Sequence, residues 1–537
     1  MKNKKQVSAA TPATRELTWY LGVGLIALNI LFILLIDIFP FQDMPQHLTY
    51  AKILAEFFDQ GSIFPSLYEL PKSFVSYHSF HWALAGFSRF VGVEWGLKII
   101  VLFYALLLFL GIKNLIDQLY PQEQNHWRYF FIQFAVWNAT IGMGFMPFVI
   151  SMPFFVSAIA YFMRLGSQPE NKRNWIFYLG SLLFSSLTHV VTGLFIVTFL
   201  MIYSVFKKSK RTWAISIGTL LYFLLAGFLF GGFGKNDGNL LAHQSVNFWD
   251  AYQSSYGFEF ITAFFRAEWS PLPVLANYIL WNFIGPYRLG TLLFLAAIYG
   301  TFIFFLSRGN GSPNSTLKPD SQLLIFKRSA LVFLIFSLAV PWGIYVPSEI
   351  TFLNYRLLSL ALFLLLPLVP SCWGANPGKR NVVASMCLFS MLFYFCMTGL
   401  YQSETKTPLK MMAKLPAQKT MGSLMFGNKS SYFAKILDLT HFMPMFYTIR
   451  FGGINNQFWA RYAPHLPVGY RSGVKIAGTP DWHPWKFKAE DIEGLDYFLL
   501  QSSLSTSGQS EISVKSFLTS RMTLMECQQN WCLYRRR

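Results

Sequence analysis

The segment FQDMPQHL, residues 41–48, places an acid and an imidazole four residues apart, at Asp43 and His47. Pro45 suits the first turn of a helix, and side chains four apart share one helix face, so the spacing predicts that the two groups meet. A carboxylate beside an imidazole is suited to general base catalysis, to orienting a hydroxyl nucleophile or to sharing a divalent cation. The alternative is an Asp43 helix cap followed by an interfacial His47.

A second pair of imidazoles follows in the segment YHSFHW. His78 and His81 stand three apart and share a helix face. They approach Asp43 if the two helices pair, which makes them candidate substrate-binding residues, although imidazoles beside a tryptophan are also an ordinary interfacial anchor. His189 lies alone in an apolar run, where an ionisable group is a functional candidate and a hydrogen-bonded core histidine is the alternative.

The segment PSEITFLNYRLL carries two more candidate substrate-binding residues, Glu349 and Arg356, just before an apolar run. A guanidinium at the membrane boundary can bind a phosphate through two parallel hydrogen bonds, although snorkelling to lipid headgroups explains the same placement. The loop 233–288 contributes Trp249 and Glu268. Aromatic faces with carboxylates suit sugar binding, and they suit an interfacial helix equally well.

The composition indicates a membrane protein. Of the 537 residues 53% are hydrophobic and 13% are charged, whereas a soluble domain carries about 25% charged residues. The net charge of +19 does not favour nucleic-acid binding, because the basic residues are spread over loops and the C-terminal tail instead of forming one face. The sequence contains no glycine-rich phosphate loop, serine nucleophile elbow or zinc-ligand spacing.

Apolar runs in the sequence predict the membrane-spanning helices that must position these residues. Residues 17–36 carry no charge and are long enough to cross a hydrocarbon core about 30 Å thick. Basic residues precede this run, so the positive-inside rule predicts a cytoplasmic N-terminus. Between Gly142 and Pro153 the sequence suggests short, broken or re-entrant helices. The further candidate spans, for a total of about eleven, lie near 78–93, 95–116, 128–142, 147–165, 175–205, 213–232, 289–307, 329–346, 357–372 and 382–400.

The predicted fold class is therefore an all-α polytopic membrane domain with a small C-terminal α+β domain outside the membrane. Residues 1–16 form the cytoplasmic N-terminus and 17–400 the transmembrane domain, with outside loops at 40–77 and 233–288. Residues 401–537 form the extracytoplasmic domain, since long domains cross largely regardless of their charge. Residues 309–320 resemble a linker by their Gly, Ser, Pro and Asn content.

Two segments of the tail, 494–503 and 522–535, read as strands by their apolar and aromatic content. Cys527 and Cys532 flank a possible hairpin turn, which would bring their sulfurs within bridging distance. A disulfide suits an oxidising compartment, and two free thiols are the alternative. The other cysteines, which lie in apolar runs, are expected to pack as hydrophobic residues.

An acidic residue after the first helix, then a histidine and a helix, then YHSFH at membrane re-entry make the chain resemble the GT-C type of membrane glycosyltransferase. The layout of nearly the whole chain resembles this superfamily, and the tail segment THFMPMFYTIRFGG looks like the outside tail of some bacterial members. The resemblance implies a polyprenyl-phosphate-linked sugar as donor. It implies Asp43 as catalytic base or metal-site acid, and Arg356 as a contact of lipid phosphate.

The first outside loop lacks an Asp-Glu or Asp-x-Asp pair, which leaves a requirement for Mg²⁺ or Mn²⁺ open. The hypothesis is a hexosyl- or pentosyltransferase that moves a sugar from a polyprenyl-phosphate donor to a glycan, lipid or protein acceptor, with Asp43 as general base. The resemblance also implies a bacterial inner membrane, with the outer face as the site of transfer. The alternatives are a polytopic transporter or lipid flippase, or a non-catalytic membrane scaffold that displays the tail to a partner.

Overall fold

The computed structural model describes most of the chain. The described residues are 12–71, 75–121, 126–230, 281, 287–307, 321–339, 353–374, 377–427, 430–433, 439–458, 467–471, 473–474, 484–503 and 509–537. Three predicted site residues, Trp249, Glu268 and Glu349, and the linker-like segment 309–320 lie outside them, as does most of the loop 233–288.

Helices dominate the described part of the chain. In chain order they are α1 (Pro12–Leu35), α2 (Met44–Glu56), α3 (Phe64–Leu67), α4 (His78–Val91), α5 (Val93–Leu119), α6 (Ile132–Val136), α7 (Ala139–Met143), α8 (Met146–Ser167), α9 (Lys172–Thr188), α10 (Val190–Lys207), α11 (Lys210–Phe230), α12 (Leu289–Ser307), α13 (Ser321–Ala339), α14 (Leu353–Leu365), α15 (Pro377–Met412), α16 (Phe446–Phe451) and α17 (Gln509–Arg521).

Among the described helices, four are long and apolar enough to cross a membrane: α5, α8, the Gly290–Ser307 part of α12, and α15. Shorter apolar helices occupy Tyr20–Leu35, Val191–Lys207 and Arg356–Leu368. Many large apolar side chains on these helices are exposed in the isolated chain, as expected of surfaces that face lipid. The chain is an integral membrane protein.

Two predicted spans differ from the structure. The run 175–205 is not one helix but two, α9 and α10, separated by His189 in an extended conformation with φ of −160°. The run 78–93 corresponds to α4, whose 14 residues extend only about 21 Å, and Arg89 near its end pairs with Asp59 at 2.9 Å. The structure therefore changes the helices assigned to these two runs.

The broken stretch predicted around residue 142 is present. Residues His126–Phe131 form a 3-10 helix, which is followed by the short helices α6 and α7. Asn138 caps α7 by accepting hydrogen bonds from the backbone of Thr140 and Ile141, and its amide donates to Tyr104 Oη at 3.1 Å. Irregular backbone at this depth is possible because neighbouring helices bury it and satisfy its polar groups.

The tail contains a five-stranded sheet with strand order β3-β2-β5-β7-β6. Strand β5 lies at its centre, parallel to β2 and antiparallel to β7, and it is buried along its whole length. One face packs against α17 through side chains such as Phe498 and Leu518, and Leu499 and Leu533 on the other face belong to the main core. The strands are β1 (Tyr68–Glu69), β2 (Thr420–Met425), β3 (Ile454–Asn455), β4 (Gly469–Tyr470), β5 (Tyr497–Gln501), β6 (Met522–Gln528) and β7 (Trp531–Arg536).

Strands β6 and β7 form the hairpin that the cysteine spacing suggested. Cys527 and Cys532 are directly opposite each other and are joined by a disulfide, with their Cα atoms 4.1 Å apart. Gln529 in the turn has a φ of 53°. Cys387, buried in α15, and Cys396 are free thiols.

The tail is docked onto the first outside loop. Strand β1 from that loop pairs antiparallel with β4 from the tail, with Tyr68 opposite Tyr470. The Gln46 side chain on α2 donates to the Gln457 carbonyl at 2.9 Å, and the Tyr50 ring lies 4.4 Å from that of Phe458. Helix α2 is therefore packed between the tail and the membrane helices.

An ion cluster adds a second attachment of the tail. Arg450 at the end of α16 donates to Glu94 on α5 at 2.6 and 2.9 Å and to Asp37 after α1 at 2.9 Å. A half-buried guanidinium shared by two carboxylates stabilises more than an isolated surface pair. These contacts hold the start of α5 and the end of α1 at the level of the first outside loop.

Candidate functional site

Asp43 occupies the N-cap position of α2, but its side chain makes no capping hydrogen bond. The alternative interpretation of a simple helix cap therefore does not describe the carboxylate. Asp43 is buried, with 9% of its surface exposed, and its backbone N–H donates to the Met143 carbonyl at 3.4 Å. The preceding Gln42 N–H donates to the Gly142 carbonyl at 3.0 Å. The start of α2 is thereby held against the end of α7.

Gly144 allows this close approach. Its φ of +81° is in the left-handed region, and a Cβ at this position would lie 2.6 Å from the Asp43 backbone nitrogen. Only glycine combines this conformation with this contact without strain. The turn between α7 and α8 thus determines where the Asp43 carboxylate points.

His47 does not stand free beside Asp43, because its Nδ1 lies within hydrogen-bond distance of His81 Nε2, at 2.8 Å. Burial lowers the pKa of His47 to about 3, and the Gly144 backbone opposes this effect. A neutral imidazole with these partners is suited to positioning α2 and α4, and less suited to removing a proton from a substrate.

The other two predicted histidines lie on α4. His81 is fully buried, and its Nδ1 is 3.2 Å from the Tyr77 carbonyl, so it links α2 to the start of α4. His78 is also buried, and its Nδ1 lies 3.4 Å from the Val75 backbone N–H of its own loop. The structure brings His81 to His47, whereas the contacts of His78 include this local one.

Arg356 lies in the first turn of α14. Its guanidinium carbon is 4.5 Å from the centre of the Phe145 ring and 5.7 Å from that of Phe148, distances typical of cation–π contacts. One turn further, Ser359 accepts a hydrogen bond from Thr140 at 2.7 Å. The α7–α8 turn that holds Asp43 therefore also contacts the helix of Arg356.

The charges of Asp43 and Arg356 both act on the phenol of Tyr77. Burial raises the pKa of Tyr77, the positive charge of Arg356 opposes this effect, and the negative charge of Asp43 adds to it. Both charges therefore act on one buried phenol at the start of α4. The α7–α8 turn connects Asp43 and Arg356, which are more than 300 residues apart in the chain, because Gly144 lies against the Asp43 backbone and the next residue, Phe145, lies under the Arg356 guanidinium.

The site also contains His189, for which a hydrogen-bonded core histidine was the alternative to a functional residue. The ring is 7% exposed, 5.3 Å from the Phe148 ring and 6.4 Å from the Tyr77 ring. It is buried, but its Nδ1 makes no hydrogen bond to another residue that the structure describes. The available sequence signal was a lone histidine within a run too long for one span.

The described residues contain no group of three or more His, Cys, Asp or Glu side chains that could bind a metal ion. Beside Asp43, the Nδ1 of His47 is engaged by His81. The described residues therefore do not form a divalent site from protein ligands alone. The charged groups that the site offers are the Asp43 carboxylate and the Arg356 guanidinium, and both residues contact the α7–α8 turn.

No protein-family model matches the chain, and no curated protein does. The chain is similar to the crystal structure of ArnT from Cupriavidus metallidurans bound to undecaprenyl phosphate, with 12% identity, 96% of this chain and 98% of that chain covered, and a TM-score of 0.50. The apo structure of that protein also matches, with 12% identity, 97% and 98% coverage and a TM-score of 0.49. The first likeness shows that nearly the whole chain has a fold similar to that of this ArnT structure, and it confirms the predicted helical membrane domain with a small C-terminal α+β region.

Proposed function

We propose that the protein is a membrane glycosyltransferase that uses a polyprenyl-phosphate-linked sugar as donor. The observation that carries the proposal is the α7–α8 turn, which contacts the Asp43 backbone through Met143 and Gly144 and the Arg356 guanidinium through Phe145. One group can accept a proton and the other can bind a phosphate, and a transfer from a lipid phosphate requires both. The sequence placed them in separate loops, and the fold unites them.

The proposed step is a displacement at the anomeric carbon of the sugar. Asp43 takes the proton of the acceptor hydroxyl, whose oxygen forms the new bond to that carbon. The bond from the carbon to the phosphate oxygen breaks, and the lipid phosphate leaves with the electron pair. Arg356 binds the leaving phosphate, since a guanidinium stabilises the negative charge that develops there.

The fold supports this assignment because the similar ArnT structure holds undecaprenyl phosphate. The placement of Asp43 also supports it, because this buried carboxylate does not cap its own helix and stands beside the turn that contacts Arg356.

The orientation follows from the charge pattern. Lys207, Lys208, Lys210 and Arg211 lie where α10 ends and α11 begins, at the opposite end of α10 from His189 and hence from the site. By the positive-inside rule the cluster is cytoplasmic, and the site and the tail are extracytoplasmic. We infer a bacterial inner membrane, with a hexose or pentose transferred at its outer face to a glycan, lipid or protein.

The test is the Asp43→Asn variant of the full chain in detergent or vesicles. The probes are undecaprenyl-phosphate-linked hexoses and pentoses, with candidate acceptors from envelope extracts. The readout is free undecaprenyl phosphate, which every such transfer releases. We expect the variant to lose at least about 100-fold in rate, with unchanged membrane insertion and thermal unfolding.

The matched control is Asp37→Asn, another acid at the same membrane level, which faces Arg450. It should keep nearly full activity, since partly exposed ion pairs contribute little. If Asp43→Asn releases undecaprenyl phosphate at the rate of the wild type, Asp43 is not the general base. Absence of release by the wild type with every donor, together with uptake of a labelled donor into vesicles, would favour the transporter alternative.

A further inference from the structure

His189 occupies an unusual position for a buried histidine. It is the junction residue between α9 and α10, with an extended backbone, φ of −160° and ψ of 98°. Its N–H donates to the Ser185 carbonyl at 2.9 Å, and its carbonyl accepts from the Thr192 N–H at 2.9 Å. Both helices thus hold the backbone of His189 by hydrogen bonds, and the side chain is not needed to hold the junction.

The ring projects into the candidate site. It packs on Phe148, the same ring that lies 5.7 Å from the guanidinium carbon of Arg356. Of the described titratable and charged groups, Arg356 on α14 acts on it electrostatically and Tyr77 ahead of α4 contacts it. From α8, a neighbour of the ring is the uncharged Phe148.

This environment makes the charge of His189 depend on what lies beside it. Burial next to a guanidinium disfavours a second positive charge, so the empty site holds a neutral imidazole. A bound phosphate reverses this balance, because its negative charge attracts both cations at close range. A neutral ring with a buried polar atom that bonds to no other described residue is poised for such an anion.

We propose that His189 is a second ligand of the donor's phosphate, together with Arg356, and that it takes up one proton when the anion binds. This inference rests on the proposed function and deepens it. After transfer, an imidazolium beside the departing lipid phosphate would stabilise the leaving group alongside the guanidinium. Dissociation of the lipid phosphate would return the proton to solvent.

The experiment measures binding of farnesyl phosphate, a short polyprenyl phosphate, to the full chain in detergent between pH 8 and pH 6. His189→Asn and His189→Gln each remove the imidazole that titrates. The Asn side chain keeps a polar group near the position of Nδ1, and the Gln side chain keeps one near the position of Nε2. Thr188→Ala, at the neighbouring helix end, is the matched control. Because the probe titrates identically in all samples, the difference between variants isolates His189.

We expect wild-type affinity to rise as pH falls, by up to about tenfold per pH unit relative to both His189 variants. At pH 6 the variants should bind about tenfold more weakly than the wild type and Thr188→Ala. If a variant does not fold, calorimetry of the wild type at pH 7.5, where a phosphate monoester with a second pKa of about 6 is almost fully ionised, gives the proton count of the protein from two buffers of different ionisation enthalpy. Net proton uptake supports the inference, and no uptake or net release contradicts it.

Arg356→Gln separates this inference from the proposed function. If Arg356→Gln abolishes binding while both His189 variants retain the wild-type affinity and pH dependence, His189 is not a phosphate ligand and the transferase proposal stands. If Arg356→Gln also binds as the wild type does, the phosphate site itself is wrong, and the proposed function fails with it.

Discussion

The two ends of the candidate site are held in different ways. At one end, backbone hydrogen bonds fix the start of α2 against the α7–α8 turn, and Gly144 approaches the Asp43 nitrogen too closely for any side chain. At the other end, the contacts of Arg356 include the faces of Phe145 and Phe148. The backbone that carries the acid is positioned by directional hydrogen bonds and a glycine contact, whereas the guanidinium packs on broad ring faces.

This difference suits the two chemical tasks. A general base must lie within hydrogen-bond reach of the proton that it removes, so small displacements reduce the rate strongly. A phosphate ligand can act over a wider range of positions, because the attraction between charges falls off gradually with distance. Damage at the Asp43 end should therefore cost more activity than damage of similar size at the Arg356 end.

The largest effect is expected from Gly144→Ala. The added Cβ would lie 2.6 Å from the Asp43 nitrogen, so α2 must shift, and a displacement of about 1 Å can cost about 100-fold in rate. The measurement is release of undecaprenyl phosphate together with thermal unfolding in detergent.

Gly61→Ala is the matched control, because Gly61 has a φ of +80° but no atom within 4 Å of the added Cβ. It carries the same backbone strain, about 1 kcal/mol, without the contact. Equal activities of the two alanine variants would show that the approach to Asp43 is not critical.

An intermediate effect, on stability, is expected from His47, which connects α2 to α4 through His81. Its pKa is near 6.5 when unfolded and about 3 when folded. The unfolded chain therefore binds a proton that the folded chain does not. The contribution of His47 to the free energy of unfolding is fully present above pH 6.5 and is lost as the pH falls towards 3. At pH 5 the loss is about 2 kcal/mol.

His47→Asn removes this titration and leaves a polar group for His81. The variant should be less stable than the wild type at pH 7, but its unfolding temperature should fall less between pH 7 and pH 5. Parallel pH profiles for the two proteins would mean that His47 does not remain neutral in the folded chain.

The smallest effect is expected from Phe145→Leu at the Arg356 end. Loss of one cation–π contact should weaken farnesyl phosphate binding about threefold, with the Asp43 end unchanged. Phe154→Leu, on the same helix but stacked on Phe184, should leave binding unaltered. A loss as large as that of Gly144→Ala would show that the ring fixes the guanidinium as strictly as the backbone fixes the acid.

Sequence patterns predicted the site to different extents. The four-residue spacing correctly put His47 on the first turns of a helix that begins beside Asp43, since helix periodicity is local. It did not reveal that the partner of His47 would be His81, because that contact joins two helices. His189 stood out as a lone ionisable residue, but its place at a helix junction was not predicted, because continuous hydrophobicity does not show where one span ends and the next begins.

The amino-acid sequence by itself determined the class of protein, the apolar helices and the hairpin of the tail. These follow from composition, run length and residue spacing, which are properties of neighbouring residues. Only the tertiary structure decided that Asp43, Arg356 and His189 share one site, that His47 is already hydrogen-bonded, and that the tail packs against α2. Such facts depend on how distant segments pack, and local periodicity carries no information about the distance between them.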